Sequence, residues 1–176
     1  YPRDGEGLFE AMNRETRHVR EKVGMVDVST LGKIDVQGPD AGEFLNRIYA
    51  NGFKKLPVGR ARYGLMLRED GHAFDDGTCS RLSESHFLVT TTTAQAAAVL
   101  SHMDYYHQTC WPDLRVHLAS VTDQFASMAI AGPRSRAVLQ KAVEGASVTN
   151  EDLPFMGVVQ ARVAGCPIIL FRISFS

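Results

Sequence analysis

Two adjacent carboxylates, Asp75 and Asp76, lie in the segment DGHAFDDGTC at residues 70–79. A fixed carboxylate can accept a proton and stabilise a neighbouring positive charge, which is the chemistry of general acid–base catalysis. If the segment is a strand, its side chains alternate between the two faces of the sheet, so the two acids point to opposite sides. One acid then faces solvent, and the other, Asp76, shares a face with Phe74 and Thr78.

The residues alone are equally typical of a less specific arrangement. A solvated hairpin acid that forms an ion pair with Arg68 or Arg81 accounts for the pattern without any catalysis. Strand alternation shows that the two acids differ in surroundings, but it does not identify which acid faces a pocket.

The other residues that could do chemistry form no convincing site. His102 and His107 are five apart, which is not the spacing of a metal-binding pair on one helix face, so we predict no metal. The three cysteines, Cys79, Cys110 and Cys166, are an odd number without close spacing. They indicate reduced thiols and predict a cytoplasmic location.

Composition limits the class of protein. The chain has 176 residues, 44% of them hydrophobic and 22% charged, with a net charge of -1. These values are typical of an ordinary globular protein with a real core. We expect no nucleic-acid partner because no basic block is present, and no membrane partner because no apolar run could span a bilayer.

The acids must be positioned by strands. Residues 61–93 predict three strands, with a hairpin turn at Asp70-Gly71 between the first two. Residues 24–38 alternate as one strand, and the last hairpin turns at Ala164-Gly165. Apolar periodicity predicts helices over four ranges: 7–23, 39–52, 94–108 and 133–143.

A weak repeat helps to predict the fold. Residues 34–48 and 128–142 both run from a strand through a Gly-Pro turn into a helix. We expect these two units to pack on one mixed sheet, which gives an α+β fold with a largely antiparallel sheet and packed helices. Because the segment CPIILFRISFS stops inside an apolar strand, we expect residues 1–176 to be a partial domain, a fragment of a longer chain.

The residues from 23 to 76 resemble the folate-binding domain of the aminomethyltransferase family, which includes the T-protein of the glycine cleavage system. The motifs are GMVDVS, a strand that ends in Gly-Pro, and a hairpin that ends in the acid pair. IAGPRSRAVL and FRISFS resemble its second half. Residues 2–41 and the TTTT strand at 90–93 look most like one branch, the C-terminal region of the alpha subunit of heterotetrameric sarcosine oxidase.

The resemblance implies roles for five side chains. The catalytic acid of the family corresponds to Asp76, and Asp75 takes a supporting or surface role. Leu31, Tyr63 and Thr91 correspond to positions beside the folate, although a tyrosine on a strand is as often a core residue. Many members have methionine where this chain has Leu31, and T-proteins have asparagine at the position of Thr91. The second difference favours the oxidase branch.

The resemblance also implies an activity. The chain is expected to bind tetrahydrofolate and to pass to it the one-carbon unit released by oxidative demethylation of sarcosine, giving 5,10-methylenetetrahydrofolate. NAD and the flavins FAD and FMN are expected only in other regions or subunits of an oxidoreductase, and those subunits are the expected partners. The family glutamate that clamps the pterin would follow Ser176, so residues 1–176 alone are expected to bind folate weakly and to be inactive.

Two alternatives stay open. The chain could belong to an aminomethyltransferase of the glycine cleavage system that works with a lipoyl carrier protein. It could also be a folate-binding assembly module without catalysis.

Overall fold

The computed structural model describes residues 2–174. Within that range the helices are α1 (Leu8–Glu21), α2 (Ala41–Ile48), α3 (Ala96–Thr109) and α4 (Ser135–Ala142). The strands are β1 (Gly24–Asp27), β2 (Gly32–Gln37), β3 (Arg60–Leu67), β4 (Ala73–Ser83), β5 (His86–Thr91), β6 (His117–Ser120), β7 (Met128–Ala131), β8 (Val143–Glu144), β9 (Val158–Val163) and β10 (Cys166–Phe171). The last two residues of the FRISFS motif lie outside the described part of the chain.

The strands divide among three sheets. A five-stranded sheet has the order β3-β4-β5-β2-β6, a three-stranded sheet has the order β10-β9-β8, and β1 pairs with β7. Every named strand pair between residues 2 and 174 is antiparallel. The predicted α+β class with antiparallel pairing is therefore confirmed.

Residues 24–38 do not form the single strand that their alternation predicts. They form β1 and β2, which belong to different sheets, and the Leu31 amide donates to the Val28 carbonyl at 3.1 Å in the turn between them. Because β7 pairs with β1 and not with β2, the prediction that both Gly-Pro units share one sheet is also wrong.

The hairpin that carries the acid pair has the predicted turn. The Arg68 amide donates to the His72 carbonyl at 2.8 Å, and Gly71 has a φ of 84°, which favours glycine. Beyond the turn the register shifts, because Met66 pairs with Asp75 while Leu67 pairs with Ala73. One extra residue, a β-bulge, therefore lies in β4.

Phe74 is the bulged residue. Its ring lies 4.9 Å from the His102 ring of α3, and it packs against the main core. The bulge breaks the alternation at this point, so the prediction that Phe74 shares a face with Asp76 is wrong.

The main core lies between the five-stranded sheet and helices α2 and α3. Residues of both layers are fully buried there, among them Ile34, Val36, Phe44, Leu45, Met66, Phe87, Val89, Val99 and Met103. The first helix contributes little to any core in this part of the chain, since Leu8, Phe9 and Met12 are exposed. Helices α2 and α3 thus cover one face of the sheet, and polar side chains such as Thr78 and Asp76 lie on the opposite face.

The opposite face of the sheet contains a buried hydroxyl, that of Ser80, without a hydrogen-bond partner among the described residues. Ser80 of β4 is 1% exposed, and its Oγ has no hydrogen-bond partner among residues 2–174. An unpaired buried hydroxyl costs about 1–3 kcal/mol, so we expect Ser80→Ala to raise the free energy of unfolding by about 1 kcal/mol. Urea unfolding measures this change.

Thr78→Val is the matched control. The Thr78 Oγ1 lies 2.8 Å from the Thr90 Oγ1, so this variant loses a bonded hydroxyl on the same strand and should be less stable than the wild-type protein. Equal destabilisation by both variants would contradict the assignment of Ser80 as an unsatisfied group.

Candidate functional site

The two acids have very different surroundings. Asp75 is 8% exposed, and its carboxylate accepts two hydrogen bonds from Thr92, at 3.1 Å from the amide and 2.7 Å from the hydroxyl. Thr92 connects β5 to the segment that starts α3. Asp75 therefore fastens the end of β5 to β4, and the surface role that the sequence left open for it is wrong.

Asp76 lies on the other face of β4, where it is half-buried. Its Oδ2 accepts a hydrogen bond from the hydroxyl of Tyr63, a residue of the neighbouring β3 that is 42% exposed. This bond to an anionic acceptor raises the pKa of the Tyr63 hydroxyl, which stays a donor at neutral pH. Within residues 2–174 no hydrogen bond to the Asp76 Oδ1 is present, so one carboxylate oxygen is free to accept a bond from a ligand.

Gly77 explains how two acids fit at the end of the strand pair. A Cβ at this position would lie 1.9 Å from the Thr90 carbonyl oxygen, so the close approach of β5 requires glycine. The regular pairs of β4 with β5 end at Cys79 and Val89, and the Thr78 amide donates to the Thr90 hydroxyl at 2.9 Å. Side chains of threonine and aspartate thus continue the connection where the backbone ladder ends.

Thr91 and Leu31 lie where β5 pairs with β2. Thr91 is 3% exposed and its hydroxyl donates to the Thr92 carbonyl at 2.9 Å, so it has a structural bond. Leu31 is 37% exposed and immediately precedes Gly32, which pairs with Thr91. The structure brings Tyr63 and Asp76 into contact, whereas the folate contacts of Leu31 and Thr91 stay predictions.

Lys33 is the residue that sequence reasoning missed. It is 3% exposed, and its Nζ donates to the Ser29 and Leu31 carbonyls, each at 2.9 Å. A lysine in an alternating strand is normally solvated, and the carbonyls that accept from it belong to a turn that was predicted as strand. The sequence therefore held no signal for this burial.

Two shallow cavities lie near the site, and Asp76 lines neither of them. One has a volume of about 520 Å³ and lies between the β3–β4 hairpin and the aromatic residues of α3. The other has a volume of about 360 Å³ and lies along the edge of β3, where Tyr63 borders it. Asp76 thus lies outside both cavities, whereas Tyr63 borders the second one.

Three further features bear on the function: a buried thiol, the arrangement of possible metal ligands and the character of the helices. Burial raises the pKa of the Cys79 thiol, which makes it a poor nucleophile. The part of the chain that the structure describes holds no group of three His, Cys, Asp or Glu side chains arranged for a metal ion. Over the same residues, none of the helices combines the length and the apolar character needed to cross a membrane.

Comparison with known proteins identifies the class of protein. The GCVT N-terminal domain family matches residues 1–176, and the chain belongs to this family. A solved relative is the glycine cleavage system aminomethyltransferase T from Bartonella henselae, with a TM-score of 0.74 and 28% identity over 85% of this chain and 38% of that one.

The sequence of one relative is more similar to this chain than that of the Bartonella henselae enzyme. The sarcosine oxidase subunit alpha of Rhizobium meliloti (strain 1021) is 53% identical over 179 residues, which cover 100% of this chain and 18% of the relative. The heterotetrameric sarcosine oxidase from Corynebacterium sp. U-96 shares the fold, with a TM-score of 0.65 and 13% identity over 95% of this chain and 80% of that one. The resemblance predicted from the sequence is confirmed, and the chain spans about a fifth of the alpha subunit that it matches.

The different surroundings of the two acids predict different effects on stability. We expect Asp75→Ala to lower the free energy of unfolding by about 2–3 kcal/mol, because the part-buried Thr92 amide and hydroxyl lose their acceptor. We expect Asp76→Ala to change it by less than about 1 kcal/mol, since that acid is partly solvated. Urea unfolding of the two variants measures the difference, and equal losses of stability would contradict this division of the pair.

Proposed function

We propose that residues 1–176 bind tetrahydrofolate as part of an alpha subunit of the sarcosine oxidase type. In this proposal Asp76 assists the transfer of a one-carbon unit from the demethylation of sarcosine to tetrahydrofolate, which yields 5,10-methylenetetrahydrofolate. The observation that carries the proposal is the half-buried Asp76 carboxylate, with one oxygen held by Tyr63 and the other free. The similarity to a sarcosine oxidase alpha subunit over the whole chain supports the choice of substrate.

The side chains at the candidate site are of chemical types that can bind a reduced pterin. The free oxygen of Asp76 can accept an N–H group, while the exposed Tyr63 ring and the partly exposed Leu31 side chain offer apolar contact. Tetrahydrofolate supplies the nitrogens that take up the one-carbon unit. The site also needs to exclude water, and neither neighbouring cavity encloses Asp76. We therefore propose that residues beyond this segment complete the pocket, and that the segment alone binds folate weakly and is inactive.

The strand and its neighbours define what Asp76 can do. Its backbone belongs to β4, paired with β3, so the carboxylate is positioned by a sheet and not by a mobile loop. The Tyr63 hydroxyl donates to one oxygen, and it is protonated at neutral pH because the pKa of tyrosine is ordinarily about 10 and this bond raises it further. The other oxygen can accept a proton from a ligand nitrogen or stabilise positive charge beside it.

The relatives support a proposal about the wider assembly. The oxidation of sarcosine, with its FAD, FMN and NAD, is assigned in this proposal to other regions or subunits. The related Corynebacterium sarcosine oxidase is a heterotetramer, which supports other oxidase subunits as partners of this chain. A cytoplasmic location and the absence of nucleic-acid partners stay predictions from the composition.

An aminomethyltransferase is the second candidate function. The match to the Bartonella henselae enzyme supports it, with a TM-score of 0.74 and 28% identity over 85% of this chain. The threonine at position 91 in place of asparagine favours the oxidase. Oxidation of sarcosine by the complete protein supports the first function, whereas transfer from a lipoyl carrier protein supports the second. Folate binding without either reaction would indicate an assembly module.

Asp76→Asn tests the proposed function. In the complete polypeptide with its partner subunits, we expect this variant to fold and to oxidise sarcosine at the wild-type rate. It should release formaldehyde and form little 5,10-methylenetetrahydrofolate, because general acid–base groups contribute about 10²–10⁴-fold to rate. Product analysis during turnover measures the partition between the two products.

Asp70→Asn is the matched control. Asp70 is another acid of the same hairpin, exposed at its tip, where it forms an ion pair with Arg68 at 3.2 Å. This variant should partition its products as the wild-type enzyme does. An unchanged partition in Asp76→Asn would exclude Asp76 from the transfer.

A further inference from the structure

The turn that precedes β2 closes around a buried lysine. Lys33 reaches back from the strand, and its Nζ donates to the Ser29 carbonyl and to the Leu31 carbonyl at 2.9 Å each. With 3% of its surface exposed, the side chain is nearly removed from water. Lysine is almost never fully buried unless its charge is paired or hydrogen-bonded, so this arrangement has a specific cause.

Charges around Lys33 offset part of the cost of burial. Burial lowers the pKa of the amine, and the carboxylates of Asp123 and Asp27 act in the opposite direction. Asp27 also accepts the Ser29 amide at 2.8 Å, so the same acid shapes the turn that Lys33 holds. The ammonium group and this acid therefore constrain the turn at residues 28–31 from both of its ends.

The backbone of Lys33 is fixed as well. Its amide donates to the Thr122 hydroxyl at 3.0 Å, and its carbonyl accepts from the Val121 amide at 2.9 Å. The lysine is thus anchored to the five-stranded sheet and to the segment after β6. A side chain whose backbone is fixed in a sheet and whose terminal amine donates two hydrogen bonds can set the position of a short turn.

The turn is linked by a side-chain hydrogen bond to the segment that bonds to Asp75. The hydroxyl of Thr93 donates to that of Thr30 at 3.1 Å, which joins the turn to the segment between β5 and α3. The same segment contains Thr92, the residue bonded to the carboxylate of Asp75. A shift of the turn would therefore move the exposed Leu31 side chain and the segment that bonds to Asp75.

We propose that Lys33 is a positioning residue for the folate site, which it serves by holding the turn at residues 28–31 so that Leu31 faces the ligand. This inference rests on the proposed function, because it assigns Leu31 a contact with tetrahydrofolate. The lysine itself touches neither the folate nor the reacting atoms.

The test uses the complete polypeptide with its partner subunits and tetrahydrofolate as the probe. Lys33→Met keeps the length of the stem and removes the donors, while Lys33→Gln keeps an N–H donor group on a shorter stem. Calorimetry should show a Kd for tetrahydrofolate that is at least tenfold higher for Lys33→Met and threefold to tenfold higher for Lys33→Gln. Sarcosine oxidation, which the proposed function assigns to other regions or subunits, should be unchanged in both and shows that the rest of the assembly is intact.

Two controls accompany these variants. Lys141→Met removes an exposed lysine from α4 and should bind tetrahydrofolate with the wild-type Kd. In a Leu31→Ala background, Lys33→Gln should cause no further rise in Kd, because the lysine acts through Leu31. An additive rise in that double variant would overturn the inference.

The outcomes separate the two proposals. If Lys33→Met does not fold, Lys33→Gln decides alone, and a wild-type Kd for that variant overturns the role of Lys33. Binding by the wild-type protein with no change in any Lys33 variant overturns only the inference about Lys33. Absence of binding by the wild-type protein overturns the proposed function together with it.

Discussion

The junction between β4 and the start of α3 depends on one buried carboxylate. Asp75 accepts both the amide and the hydroxyl of Thr92, at the point where the regular ladder between β4 and β5 has ended. Backbone amides that leave a sheet need other acceptors, and a charged acceptor contributes about 1.5–3 kcal/mol per bond. These bonds hold Thr92 to β4 beyond the Thr78–Thr90 contacts, and so fix the chain that leads into α3 relative to the strand.

The orientation of Asp76 follows from this junction. Since Asp75 is committed to the inner face, the next residue of β4 must point outward, where the Tyr63 hydroxyl holds one of its oxygens. Two identical side chains thus have separate roles, one in stability and one available for chemistry. The arrangement leaves the outer acid on a strand, with one oxygen bonded to Tyr63 and the other free to accept a bond.

Local signals predicted much of this structure, and long-range contacts limited the rest. The turns at 70–71 and 164–165 were predictable because each contains a glycine, which adopts left-handed backbone freely, as the φ values of 84° at Gly71 and 75° at Gly165 show. The alternation of the two acids was predictable from strand geometry. The bulge at Phe74 had no signal, because it depends on packing against α3. The break at residues 28–31 had none either, since the alternation continues through it and the turn depends on contacts that only the folded chain makes, among them the bonds of the buried Lys33.

One distance tests most directly which of the two acids meets the ligand. A crystal structure of the complete polypeptide with bound tetrahydrofolate gives the separation between the Asp76 carboxylate and the nearest ring nitrogen of the ligand. We expect a hydrogen-bond distance of about 2.6–3.2 Å, with Asp75 still bonded to Thr92. A ligand bonded to Asp75, or seated in the aromatic cavity beside His102 and away from Asp76, would contradict the role assigned to Asp76.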